Sequence, residues 1–337
     1  MQRRVGAVRW GIAILLGAGI VINYFDRVNI SVALTPVQQQ FHLTAGEMGI
    51  ILSAFFWSYT LLQLPVGAWL DKLGIQWLMR IGTILWTIAT LMITIVNGFG
   101  LVLVARLLLG VGEAPAFPGA AKATGYWFPV KERGLATSAF DAAAKFSNVI
   151  GAPLVAFTVI TYGWRAGFLL TGILSLLYVI LFWIFYRDPS ESRALSEEER
   201  RYIISGGAQP EKVAPVNAFA NFGFLLRQPK VWGLALGFAA YNYSFYLFLT
   251  WLPGYLQKQL HLSVLSSGWY TVAPWLVATL TDIFIGGMLV DFLISRGGDI
   301  TRVRKTLLTI GMLLGLAIIG AAFTNNAIIA TIWISIA

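Results

Sequence analysis

Gly67-Ala-Trp-Leu-Asp71-Lys-Leu-Gly74 ends one long apolar run, and Gly287-Met-Leu-Val-Asp291 ends another. An arginine follows each, Arg80 or Arg296. The two G-x-x-x-D copies lie 220 residues apart. A second pair of matches sits at nearly the same offset. Gln40-Phe41-His42-Leu43-Thr44 precedes the first run, and Gln259-Leu260-His261-Leu262-Ser263 precedes the other, 219 residues on. Two independent matches at one spacing and one topological position read as a duplicated unit. The chain is therefore expected to have two related halves.

Composition says what those halves are made of. Of 337 residues, 58% are hydrophobic and 12% charged, against about 25% charged in a typical soluble protein. That is too little charge to cover an aqueous core of this size. A spanning helix needs about 20 apolar residues, and such runs recur here. They lie at roughly 10–35, 46–70, 77–96, 99–126, 134–159, 165–186, 230–256, 268–294 and 306–324, with a tenth starting near 327. Asp188-Pro189-Ser190, Glu197-Glu198-Glu199, Pro210 and Pro215 interrupt the pattern after the sixth run and read as a solvated linker with a short surface helix. The expected fold is an all-α integral membrane protein of two six-helix bundles. Residues 1–186 form the first bundle, 187–229 a central loop, and 230–337 the second. Only four runs follow the linker, so the C-terminal bundle is expected to be truncated, with about ten of twelve helices present, in a fragment or shortened chain. Parallel half-repeats with substrate between them describe one large class of secondary transporters.

The net charge of +9 invites a nucleic-acid reading, but the positions of the charges answer it. Arg3, Arg4 and Arg9 precede the first run, Lys72 and Arg80 lie in the second loop, and Lys131 and Arg133 in the fourth. Seven more fall in the linker region and four around Arg296–Lys305, all on one side, whereas the opposite loops hold Arg165 and Lys258. Positive charge marks the cytoplasmic side. The expected placement is multi-pass in the cytoplasmic (inner) membrane, N-terminus inside, with lipid rather than nucleic acid as partner. The wide lipid-facing surface needs no protein partner, so a monomer is expected. A cleaved signal peptide is the other reading of the basic start. The first run lacks an A-x-A-like exit and continues through Asn23-Tyr24-Phe25-Asp26-Arg27, so cleavage is not expected.

Arg27, Arg106, Lys122 and Lys145, with Asp26, Glu113, Asp141 and Asp282, fall inside runs. A charge at mid-membrane costs about 2.5–3.5 kcal/mol on insertion scales and marks function by default. At about 1.5 Å per residue, Glu113 lies roughly 20 Å, Asp26 roughly 24 Å and Arg106 roughly 30 Å from the cytoplasmic ends. Tyr59, Lys145, Asn242 and Asp282 fall at roughly 17–18 Å on the same scale. Polar groups from several runs thus share a layer and must face a watery cavity or one another. Arg106 and Glu113 share a helix face at two turns' separation, as do Tyr24 and Arg27 at three residues. Arg27 is expected to take a substrate carboxylate, since a guanidinium fork matches a planar anion. Asp26 and Glu113 are the candidate proton carriers, and Arg106 the cation that biases them. The competing reading is a structural ion-pair network. Asp141 and Lys145, four apart on one helix, could simply neutralise each other. Asp282 could line the second half of the cavity or join the loop network. Lys122, near a cytoplasmic end, is expected to snorkel.

Other features read as structure. Thr44-Ala-Gly-Glu47 is a capping box. His42 and His261 lie in short outer loops and do not resemble proton relays. Gly112-Glu113-Ala-Pro115 and Gly151-Ala-Pro153 let helices pack closely or bend. Tyr241, Asn242, Tyr243 and Tyr246 put hydrogen-bonding groups in the seventh run, with Asn242 ranked above Tyr246 and Trp275. There is no cysteine, and no cofactor fingerprint, metal cluster or nucleophile constellation, so neither enzyme, cofactor nor metal is expected.

Asn23-Tyr24-Phe25-Asp26-Arg27-Val28-Asn29, Arg106-x6-Glu113-Ala114 and both G-x-x-x-D loops resemble the anion:cation symporter family of the major facilitator superfamily. The resemblance implies proton-coupled uptake of small organic anions, often sugar acids, by alternating access of two bundles. It places the substrate-carboxylate arginine on Arg27, its tyrosines on Tyr24 and Tyr59, the protonatable pair on Asp26 and Glu113, and their partner on Arg106. Lys145 departs from the small or polar residue expected there. An anion exchanger and a non-transporting sensor or inactive truncated chain are the alternatives.

Overall fold

The computed structural model describes residues 6–211 and 222–337. Arg3, Arg4, Lys212 and Pro215 lie outside them. The described residues are helical, with no strand among them. In order the helices are α1 (Val8–Val32), α2 (Leu34–Gln40), α3 (Ala45–Ile95), α4 (Phe99–Glu113), α5 (Ala116–Trp127), α6 (Val130–Tyr162) and α7 (Trp164–Phe185). Then follow α8 (Glu197–Ser205), α9 (Phe222–Leu226), α10 (Pro229–Lys258), α11 (Val264–Thr281) and a π-helical turn (Asp282–Leu289). The last are α12 (Val290–Ser295), α13 (Ile300–Leu314), α14 (Ile318–Ala322) and α15 (Ala327–Ile336).

Helix boundaries differ from the apolar runs for local reasons. The second and third runs form one 51-residue helical stretch whose direction changes at Gly74, φ 78° and ψ 162°. A left-handed residue is readily supplied by glycine, so Gly74, three residues past Asp71 of the first G-x-x-x-D, is the turn itself. The fourth run is two helices, because Pro115 has no N–H to give and its ring opposes continuation. Glu113 is thereby the last residue of α4. Among the described residues, six segments are long and apolar enough to cross a membrane: Val8–Val32, Ala45–Ile95, Phe99–Trp127, Glu132–Tyr162, Trp164–Phe185 and Thr301–Ala322. Helices α10 and α11 fall outside that group because Tyr241, Asn242, Tyr243 and Ser244 dilute one, and Ser266, Ser267 and Thr271 the other.

The internal repeat is visible in the backbone. His42 (φ 50°) and His261 (φ 52°) are the two non-glycine residues with positive φ among the described residues. Each is followed by a hydroxyl N-cap: Thr44 Oγ1 accepts from Glu47 N at 3.2 Å, and Ser263 Oγ accepts from Ser266 N at 3.1 Å. The Thr44–Glu47 pair completes a reciprocal capping box, as read from the sequence.

One apolar core runs through α1 and α3–α7, and glycine sets how closely those helices meet. A Cβ on Gly82 would fall 2.7 Å from the Gly112 carbonyl, and one on Gly112 would fall 2.9 Å from Trp86 Cα. Backbone touches backbone beside Glu113. Between the halves, a Cβ on Gly268 of α11 would lie 2.7 Å from Ala156 Cβ and 3.1 Å from the Ala152 carbonyl oxygen of α6. At the ends away from the linker, Gln257 accepts from Thr35 at 2.7 Å and Lys258 donates to Gln38 at 2.6 Å. The linker's acidic run is not wholly solvated. Glu199 is fully buried, accepting from the Val8 and Arg9 backbone N–H groups and from Arg9 Nη1 at 2.9 Å. Its carboxylate thus caps the N-terminus of α1, where the helix dipole favours an anion. Lys122, expected to snorkel, instead pairs with Asp71 of the first G-x-x-x-D.

Gly112→Ala is expected to cost about 1–3 kcal/mol by overpacking, seen as a lower melting temperature in detergent. Gly100→Ala, where a Cβ meets nothing within 4 Å, should be neutral or slightly stabilising.

Candidate functional site

The site begins with four residues of α1. Asn23 and Tyr24 lie four and three residues before Arg27, so all three share a face. Arg27 Nη2 donates to Asn23 Oδ1 at 2.9 Å, and its guanidinium carbon stands 4.7 Å from the Tyr24 ring centroid. Helix α3 adds Phe55 and Tyr59, stacked on each other, at 4.9 and 4.8 Å. Helix α4 brings Glu113, whose Oε2 accepts from Arg27 Nε at 2.7 Å. Helix α10, in the second half, brings Tyr246, whose Oη accepts from Arg27 Nη1 at 3.2 Å. One guanidinium therefore joins four helices and both halves.

This pair is dry. The side chains of Arg27 and Glu113 are 2% and 0% exposed. In such surroundings a cation over an aromatic face gains on the order of 2 kcal/mol, and Arg27 has three. Arg106 is equally buried, packed at 5.1 Å over the far side of the Arg27 cluster on Phe55. It makes no ion pair among the described residues, and its Nε and Nη1 have no protein partner. Glu113's second oxygen, Asp26 Oδ1 and Asn23 Nδ2 are likewise unpartnered. Each such buried group costs roughly 1–3 kcal/mol. A region that retains several is not optimised for stability. Asp26, about 100° round α1 from Arg27, meets α7, where its Oδ2 accepts from Ser175 at 3.0 Å.

Beside this cluster lies a cavity of about 1080 Å³ between the halves. Tyr24, Tyr59, Asp141, Lys145, Asn242 and Tyr246 are among its lining residues, whereas Arg27, Asp26, Arg106 and Glu113 are not. Of the two expected alternatives, a watery cavity or one another, Arg27 and Glu113 take the second, and Arg106 and Asp26 are buried away from the cavity wall. The tyrosines stand between them and it, because the guanidinium is sheathed in rings and its donors are engaged. Asn242 spends its amide N–H on Phe238 O at 2.9 Å, leaving its oxygen for another group. Lys145, on the cavity wall, donates to Asp141 at 3.1 Å and to Asp282 at 2.6 Å. Asp282 therefore reaches across to the first half instead of joining a loop network. Sequence reasoning ranked Tyr246 too low and passed over Asn23, Phe55 and Ser175. Asn23's i, i+4 spacing to Arg27 could have found it; nothing in the sequence marks Phe55 among 22 phenylalanines.

Residues 16–337 match the Major Facilitator Superfamily. The chain belongs to that superfamily. It is 45% identical over 334 residues to an uncharacterized transporter of Bacillus subtilis (strain 168), covering 99% of this chain and 77% of that one. It is 32% identical over 309 residues to a probable L-galactonate transporter of Escherichia coli (strain K12), covering 92% of this chain and 67% of that one. Among curated relatives of this kind, the chain spans from 51% to 77% of their length. A solved bacterial homologue of the human lysosomal transporter Spinster shares the fold, with a TM-score of 0.74 at 20% identity over 98% of this chain and 72% of that one. The chain is thus a multi-pass membrane protein related to transporters.

Glu113→Leu should strand the Arg27 cation and cost about 3–5 kcal/mol. The double variant Arg27→Met/Glu113→Leu should recover part of that loss, because no uncompensated charge remains. Thermal melts of the three proteins in one detergent check the order.

Proposed function

We propose that this protein carries a small organic anion, a sugar acid or related carboxylate, together with protons across the cytoplasmic membrane by alternating access. In this reading residues 1–186 and 230–337 move against each other about the cavity, 187–229 is the cytoplasmic linker, and the working unit is a monomer. The observation that carries the proposal is the Arg27 guanidinium, paired with Glu113 in one half and bonded to Tyr246 in the other at the cavity's edge.

The mechanism follows from charge balance. A substrate carboxylate entering the cavity displaces Tyr246 and takes the guanidinium edge, a planar match for its two oxygens. Glu113 then competes with it for one cation. A buried carboxylate without its counter-ion is costly, so a proton on Glu113 relieves the competition. Substrate and proton therefore assist each other's binding, and by linkage the effect is reciprocal. Asp26, about 100° round the same helix and held by Ser175, is the second proton carrier. Arg106 supplies positive potential to both acids from beyond Phe55. Tyr24, Tyr59 and Asn242 position the substrate, and loss of the Arg27–Tyr246 bond frees the halves at that point.

In proteoliposomes, a pH gradient should drive accumulation of radiolabelled galactonate by the wild-type protein, and Asp26→Asn should abolish that accumulation; an unchanged gradient response removes Asp26 from coupling. Arg27→Lys should bind more weakly, by about tenfold or more, through loss of the bidentate fork. Full affinity in Arg27→Ala would contradict the carboxylate clamp.

A further inference from the structure

The geometry points to a second pole at the cavity wall, made by the lining residues Lys145 and Asp141 with Asp282 held behind them on Lys145, that receives the hydroxylated tail of a monocarboxylate and rejects a second carboxylate. This rests on the transport reading above and narrows it from organic anions in general to polyhydroxy acids with one charge.

The pole is defined by its charge count. Lys145 Nζ lies 2.6 Å from Asp282 Oδ2 and 3.1 Å from Asp141 Oδ2. One ammonium is shared by two carboxylates, so the group carries a formal charge of −1. Its acids are within reach of solutes: the side chains of Asp141 and Asp282 are 51% and 33% exposed, against 10% for Lys145. Asp141 and Lys145 line the cavity, together with Tyr241 and Asn242. Asp282 is the first residue of the π-helical turn, a local departure from α-helix of the kind often found at functional positions.

The position relative to Arg27 sets the length of the ligand. Arg27 meets α10 at Tyr246, and Lys145 neighbours Tyr241 on the same helix. Five residues of helix rise about 7.5 Å. A linear chain of about six carbons, with bonds near 1.5 Å, has the length to hold its carboxylate at the guanidinium and its far hydroxyls at the second pole.

The chemistry of the second pole favours hydroxyls. A hydroxyl donates to a carboxylate oxygen and accepts from an ammonium N–H. Two of the three Lys145 donors are used among the described residues, which leaves one for a hydroxyl oxygen. A carboxylate at the same place would meet two like charges and compete for one cation that they already hold. Asp141 and Lys145 belong to the first half and Asp282 to the second, so a tail bound there touches both.

The test compares six-carbon acids that differ only at the tail, D-gluconate and D-glucarate, as competitors of labelled gluconate binding to purified protein. Wild type should prefer gluconate on the order of tenfold. Asp282→Asn, which brings the pole to neutrality, should shift the ratio towards glucarate by a similar factor. Asp141→Asn makes the same charge change at a half-exposed position and serves if Asp282→Asn does not fold. A wild-type preference for the diacid, or a ratio unmoved in the folded Asn variants, overturns the assignment while leaving the transport reading intact. Failure of both acids to bind wild type, with labelled galactonate also unbound, overturns the transport reading and this assignment with it.

Discussion

A single buried guanidinium governs the arrangement. Arg27 is an expensive residue to place in the middle of an apolar helix. The protein offsets that cost with one carboxylate, one amide oxygen, one phenol and three aromatic faces, drawn from α1, α3, α4 and α10. A buried pair of this kind adds little net stability compared with an apolar replacement. In the proposed mechanism, what it supplies is a cation whose partner is exchanged for another anion of the same shape. The surrounding unpartnered atoms on Arg106, Asp26 and Glu113 point the same way, since a purely structural network would satisfy them.

The helices around the pair are shaped to hold it. Gly82 and Gly112 bring the second arm of α3 against α4 at backbone contact, and Pro115 ends α4 at Glu113. The carboxylate is therefore fixed by main-chain packing and not by a long flexible approach. Ties between the halves follow a sequence along their interface. Gln257 and Lys258 secure the ends away from the linker, Arg27–Tyr246 lies within, and Lys145–Asp282 sits at the cavity wall. In the proposed cycle, two of these ties are the ones that an anionic, hydroxylated solute displaces.

Much of the fold was legible because membranes leave chains few options. Long apolar runs sufficed for an all-helical membrane fold, and two matched segments for a repeated local backbone. The matched His42 and His261, which looked like incidental loop residues, prove to share a left-handed backbone. Boundaries were less legible: Gly74 and Pro115 decide where helices turn, and apolar periodicity does not register a single backbone angle. Within the site, the intramembrane charges announced themselves by their cost. Their partners did not. Glu113 was matched to Arg106 by shared helix face, yet Arg27 holds it, because contacts between helices depend on packing that spacing within one helix does not encode. The neutral members, Phe55 and Tyr246, carry no cost that would single them out in an aromatic-rich chain.

The central claim is that a substrate carboxylate and Glu113 exchange places on Arg27 and that a proton settles the exchange. Calorimetry of galactonate binding in two buffers of different ionisation enthalpy measures it directly. The account predicts proton uptake from the buffer on binding to the wild-type protein and none with Glu113→Gln. Binding by the wild-type protein with the same heat in both buffers would contradict it.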